Sequence, residues 1–537
     1  MPFVLKPYSR YRPLIWQRVL VWGVVTTLVL VCLIYGFFYA LTTPYLIPQF
    51  AAPIIILAGI TIWALPDLKT APTRTLEFLF FAYVAAAILW PNYIAFNPPG
   101  LPWITMIRLV GFPCAFILLL CVSVSKDFRR QTLGSMRAIP WLTPLYVSFL
   151  VVQAVSIGFS STVGASLNLW VDAQINWTMM FFVSCYVFLK PGNAERWAVL
   201  LWAGAIVLSV LGFWEARLEH VPWAGHIPSF LKVDADYVEN VLSGARRLGT
   251  DKYRLQGTHS TSLGLSEYLA LTSPFVIHFM VDRAYPRAVR LLAALSLPLI
   301  FYTIVGTDAR LGSVGFVVGC LLYLMSWAFL QWRQVKSSIL GPAFVFGAPI
   351  FSAAFLAATL FIGRLHLIVW GGGNDRYSTQ GRTDQYHMGI PKVMHHPWGY
   401  GIGRGAEELN YRNLGGGLTI DTYYLLVALD YGIIGFLLYY SALLLSAGFA
   451  VKVGHFEMPR EREHTILVPT AVSLVVFTVT KSVFSQTENH YLQFIMMGLA
   501  CALIYRIHSW PADKASTYNA GPAGPAPGAG RRRIGPA

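Results

Sequence analysis

The chain has 537 residues, 56% of them apolar and 12% charged, with a mean hydropathy of +0.56 and a formal charge of +15. A soluble domain carries about 25% charged residues, so this composition excludes an ordinary soluble enzyme and indicates a membrane protein. The six cysteines, Cys32, Cys114, Cys121, Cys185, Cys320 and Cys501, lie inside apolar runs without CxxC spacing. That argues against a disulfide framework or a zinc site and makes them packing residues.

A helical span takes about 20 apolar residues. Runs bounded by Pro, Gly and charge predict spans near 19–42, 47–65, 78–96, 103–125, 141–158, 175–189, 197–214, 264–281, 291–307, 311–331, 340–362, 421–449, 466–485 and 490–507. The expected fold is an all-α polytopic bundle of about 14 helices, with 12 as the lower bound. It divides into N-terminal spans over 1–196, a core over 197–450 containing large outer loops at 215–263 and 363–420, and C-terminal spans over 451–510. A Pro/Gly/Ala-rich tail over 511–537, ending in a basic cluster, is expected to be disordered, cytoplasmic and suited to touching lipid. No small-residue cleavage site follows the basic N-terminus, so the first run reads as a retained span.

With a cytoplasmic N-terminus, 24 of the 40 Lys and Arg fall inside, 13 outside and three within spans, as the positive-inside rule requires. Both termini are then cytoplasmic. The basic balance reports orientation, and no nucleic-acid partner is expected.

Each long outer loop nevertheless holds six Lys or Arg. Loop 363–420 also carries Trp370, Tyr377, Tyr386, Trp398, Tyr400 and Tyr411. Guanidinium forks match phosphate oxygens and aromatic rings cover sugar faces, so the combination suits a ligand with both, with Arg376 and Arg404 among its binding residues. The competing reading is an aromatic belt whose arginines pair with Asp375, Asp384, Glu407 and Glu408.

Three segments sharpen the first reading: Arg254-Leu255-Gln256-Gly257-Thr258, the helix mouth Asp308-Ala309-Arg310, and Gly381-Arg382-Thr383-Asp384, followed by His396-Pro397-Trp398-Gly399-Tyr400-Gly401-Ile402-Gly403. They are expected to converge on one outward cavity, against local alternatives of an Arg310–Asp308 pair and a snorkelling Arg254. The glycines at 399, 401 and 403 read as a turn, because no strand precedes them as a dinucleotide fingerprint needs. Asp421 and Gly432, eleven apart, are expected on one face of a helix, with Asp421 either a helix cap or a site carboxylate.

Together these segments, with Leu265-Ser266-Glu267-Tyr268-Leu269 and Asp421-Thr422-Tyr423-Tyr424 through Gly432-Ile433-Ile434-Gly435, resemble the O-antigen ligase and polymerase superfamily, most closely its exopolysaccharide and O-antigen polymerases. The resemblance makes 197–450 the catalytic core. It implies undecaprenyl-pyrophosphate-linked glycans as substrates on the periplasmic side of a bacterial inner membrane, outer-loop arginines at the pyrophosphate, and no metal or nucleotide cofactor. It also allows a chain-length-regulating membrane protein as a partner. In ligases of this superfamily the position of Asp421 is typically a His followed by Asn; the Asp421-Thr422 pair here favours a polymerase.

On that reading Asp421, its pKa lowered by nearby arginines, orients a sugar hydroxyl, while Arg254, Arg310 and Arg382 stabilise the departing pyrophosphate. His396 is a second acid or base candidate. Trp398, Tyr400 and Tyr424 are expected at the substrate. His366, His387, His395 and His396 lack metal-ligand spacing. Charges within spans are expensive, so Arg108 and Glu267 are expected to line the same cavity and Lys481 to pair with Asp430. The rivals are a ligase moving finished glycan and a flippase or transporter, although no internal repeat of the transporter kind is evident.

Overall fold

The computed structural model describes residues 64–68, 70–97, 103–233, 235–244, 252–337, 339–363, 376–412, 417–457 and 461–509, with isolated positions between 16 and 62. The expected spans 19–42 and 47–65, and the tail after 510, lie largely or wholly outside them. The rest is a helical membrane bundle, as composition required.

In chain order the helices are α1 (Thr73–Leu89), α2 (Met106–Val124), α3 (Lys126–Met136), α4 (Leu142–Ser156), α5 (Val163–Ala173), α6 (Met179–Val187), α7 (Asn193–Leu218), α8 (Asp236–Leu242), α9 (Ser262–Val281), α10 (Arg287–Gly306), α11 (Arg310–Gln334), α12 (Leu340–Phe361), α13 (Arg376–His395), α14 (Gly405–Leu409), α15 (Tyr423–Phe456), α16 (Leu467–Thr480) and α17 (His490–His508). A two-stranded antiparallel ribbon, β1 (Ala95–Phe96) with β2 (Ile104–Thr105), closes the α1–α2 connection. Among the described residues eight helices are long and apolar enough to cross a membrane.

Local chemistry sets the helix starts. The Thr105, Thr261 and Thr422 hydroxyls accept from the amides of Arg108, Gly264 and Leu425, each satisfying one of the orphan donors of a first turn. Helix α17 is the axis of the bundle: 94% of its apolar window is buried, against 22% for α11, which shows a lipid-facing side. At the end opposite the long loops, Arg506 pairs with Glu461 and Glu463, and Arg462 with Glu195.

Two differences from the sequence reading matter for function. The expected outer loop 363–420 contains a 20-residue helix, α13, hidden by its polar composition. Helix α15 is broken at Gly432, with φ 70° and ψ −178°. The rings of Tyr423 and Tyr439 lie 5.9 Å apart and those of Tyr424 and Tyr440 4.8 Å. Sixteen residues of straight helix would separate each pair by about 24 Å, so the chain folds back on itself at Gly432.

Candidate functional site

The break at Gly432 leaves backbone groups unsatisfied, and the glycine-rich turn fills them. The Ile433 amide donates to the Pro397 carbonyl at 3.1 Å, Tyr400 to Leu429 at 2.8 Å and Gly401 to Asp430 at 3.0 Å. A Cβ on Gly399 would meet the Asp430 carbonyl and the Gly432 amide, and one on Gly401 would meet Ser160. The glycines therefore admit close backbone packing, and the turn reading holds. The Asp430 carboxylate accepts from the amides of Gly403 (3.0 Å) and Gly405 (2.7 Å).

Asp421 lies one residue before the helix cap, which is Thr422, so its carboxyl is not spent on capping. Its amide donates to Gln385 Oε1 at 2.9 Å, and Thr419 Oγ1 donates to its Oδ1 at 3.3 Å. Burial pushes the Asp421 carboxyl above the usual aspartate range, opposed by Thr419, the positive charge of Arg382 and Gln385. The expected lowering is thus corrected: desolvation outweighs the guanidinium. Tyr411 closes the group, because a Cβ on Gly381 would lie 2.8 Å from its hydroxyl. Arg382 and Gln385 are three residues apart on α13, hence on one face.

Arg254 and Arg310 sit together at a second place, the α10–α11 turn. Arg254 Nε donates to the Thr307 carbonyl at 3.0 Å, and the Leu255 amide to Gly306. The Glu215 carboxylate pins this strand by accepting from the amides of Gln256 and Gly257 and from the Tyr253 hydroxyl. Asp308, with φ 53°, pairs with Lys252 at 3.3 Å. The end of α16 packs against both places: the Tyr423 amide donates to the Lys481 carbonyl, and a Cβ on Gly315 of α11 would touch Thr480.

Other expected site residues have partners of their own or lie exposed. Glu267 is not part of the lining of the cavity that holds Arg108; it pairs with Lys481 at 2.9 Å, both fully buried, beside Thr480 and Asn489. The expected Lys481–Asp430 pair does not form, because Asp430 is held by the glycine turn. Arg404 is buried and pairs with Glu407 at 2.5 Å, as the competing loop reading anticipated. Tyr424 donates to the Thr478 carbonyl at 2.6 Å. His396 is exposed, its ring 4.6 Å from that of Tyr400. It follows Arg382 by 14 residues, about 20 Å along a helix, and so stands away from Asp421. Trp398 is exposed beside it. Arg376 opens α13, but its side chain lies outside the described residues.

Arg108 does line a cavity of about 480 Å³ at the end bearing the long loops, together with Asp172, Asp430 and Glu488 and a ring of aromatics. Asp421 is two residues from Tyr423, which forms part of that wall. Sequence reasoning missed Gln385, Thr419 and Glu488. Gln385 would have been found by treating 376–395 as helical; Glu488 carries no sequence signal of its own. No group of three or more potential metal ligands occurs among the described residues.

A family model described as O-antigen ligase matches residues 295–440. The expected resemblance to the O-antigen ligase and polymerase superfamily holds over that stretch, and with it a glycosyl-transferring function of that general type. The match includes Arg310, Arg382, His396 and Asp421; Arg254, Glu267 and Arg108 lie outside it. Comparison with curated proteins finds no match.

Proposed function

We propose, on the premise that residues 295–440 carry the O-antigen ligase family's segment, that the protein is a polymerase of lipid-pyrophosphate-linked oligosaccharide repeats. The observation that carries the reading is the buried Asp421 carboxyl, tied to Gln385 and Thr419 in the field of Arg382. A carboxyl whose pKa is raised by burial is a better general base than a free one, because its proton affinity lies nearer the working pH.

The terminal hydroxyl of one repeat attacks the anomeric carbon of the glycan on a second carrier. Its proton passes to Asp421, the C–O bond to phosphate breaks, and the polyprenyl pyrophosphate leaves with the electron pair. Arg382, with Arg254 and Arg310 at the neighbouring helix mouth, stabilises the charge of the leaving group. A single displacement inverts the anomeric carbon. The reaction needs no nucleotide or metal, because the pyrophosphate is already a good leaving group. It belongs on the periplasmic side of a bacterial inner membrane, with both chain ends cytoplasmic, membrane lipid around it and a chain-length-regulating membrane protein as a natural partner.

The ligase reading has one observation in its favour, the match of residues 295–440 to a family described as O-antigen ligase; the Asp421-Thr422 pair favours polymerisation. Gel analysis of lipid-linked glycans in a deletion strain separates them. Loss of the polymerase leaves single repeats and no ladder. A ladder that persists on the carrier makes the protein a ligase.

A further inference from the structure

The cavity beside α15 has a chemistry unlike that of the arginine-bearing turns. One wall is a polar ladder running from Arg108 to Asp172 (3.5 Å), from Asp172 to the Asn176 amide (3.1 Å) and from Asn176 Oδ1 to the Tyr83 hydroxyl (2.5 Å). Facing it is the start of α17, where Glu488 and Tyr491 line the same space. Glu488 spends one oxygen on the amide and hydroxyl of Ser260. Its other oxygen is buried and, like the Tyr491 hydroxyl, has no hydrogen-bond partner among the described residues. Tyr491 is 4% exposed, its ring 6.1 Å from that of Tyr83. A buried acceptor and a buried hydroxyl without partners are costly unless something meets them.

The charges decide what that is. The lining holds one cation, Arg108, against three carboxyls, Asp172, Asp430 and Glu488, so a diphosphate entering here would meet net repulsion. Sugar hydroxyls, by contrast, donate to ionised carboxylates, which only accept, and aromatic rings such as Trp103, Trp177 and Tyr423 offer faces to pack on. The volume falls within the roughly 300–1,000 Å³ of small-molecule sites.

We propose that this cavity binds a sugar unit of the glycan through its hydroxyls, with Glu488 and Tyr491 as the contact groups, while the diphosphate stays outside at the arginines. The site lies outside the matched residues 295–440 apart from its α15 wall and the Gly403 turn. The assignment rests on the polymerase reading only for the source of the sugar.

The test uses the full chain in nanodiscs and, as probe, the oligosaccharide released by mild acid from the lipid-linked repeats that accumulate in the deletion strain. Calorimetry should show saturable binding that inorganic pyrophosphate does not displace. Tyr491→Phe keeps the ring contact with Tyr83 and Glu488→Gln keeps the oxygen used by Ser260; each should weaken binding about fivefold or more at an unchanged melting temperature. Absence of binding by the wild-type chain, unchanged affinity in both variants, or displacement by pyrophosphate would overturn the assignment. If the deletion strain keeps a ladder on the carrier while oligosaccharide binding stays sensitive to Tyr491→Phe, the polymerase reading fails and the sugar site stands.

Discussion

The Asp421 amide donates to the side-chain oxygen of Gln385 at 2.9 Å, which locks the segment entering α15 to the face of α13 that carries Arg382. Two stretches 36 residues apart thereby share one site. Gln385 is fully buried, so the contact sets the distance between carboxyl and guanidinium. Gln385→Ala should reduce polymer formation without altering insertion, measured by gel ladder against membrane-protein level.

The raised Asp421 carboxyl predicts a pH dependence. A general base works only when ionised, so activity should fall as pH drops through the Asp421 pKa, and burial places that limb above the ordinary aspartate range. Repeat-coupling rates in proteoliposomes across pH should show it. Asp421→Asn should remove the limb and slow coupling by about 10²–10⁴-fold; an Asn variant of wild-type rate would exclude the role.

Arg382→Ala and Arg310→Ala should each abolish the ladder while the chain still inserts. Arg382→Lys should restore little, because an ammonium cannot match two phosphate oxygens at once. His396→Ala, exposed and about 20 Å from Arg382 along α13, should polymerise normally. Loss of polymer there would return His396 to the reaction.

Gly432→Ala places a Cβ against the Pro397 carbonyl at φ 70°. Strain of about 1–3 kcal/mol is expected, together with loss of the docked turn. A lowered melting temperature of the purified protein is the readout, and Gly399→Ala, which meets the same junction from the other side, should behave alike.

Glu267 and Lys481 are both fully buried at 2.9 Å. Removing one partner leaves an unpaired charge and should cost about 3–5 kcal/mol, whereas Glu267→Leu with Lys481→Met should be far milder. Melting temperatures of the single and double variants distinguish this structural pair from a proton path, which the double variant would destroy.

Apolar run length made the spans legible in advance. Met106–Val124, Leu142–Phe159 and Arg310–Gln334 fall close to their expected bounds because hydrocarbon thickness sets helix length whatever the helix packs against. The candidates themselves could be named in advance, since Arg310, Arg382 and Asp421 are charges in outer segments of an apolar chain; the roles given to them belong to the proposed function. What each charge meets was decided elsewhere. Glu267 finds Lys481 214 residues away, and Arg108 meets Asp172. Spacing along one helix constrains only neighbours three or four residues apart, whereas these partners come from separate helices. The fold-back at Gly432 is of the same kind: a glycine permits the left-handed backbone, but the amides and carbonyls of the turn from Pro397 to Gly405 make it the stable state, and those contacts exist only once the chain has folded.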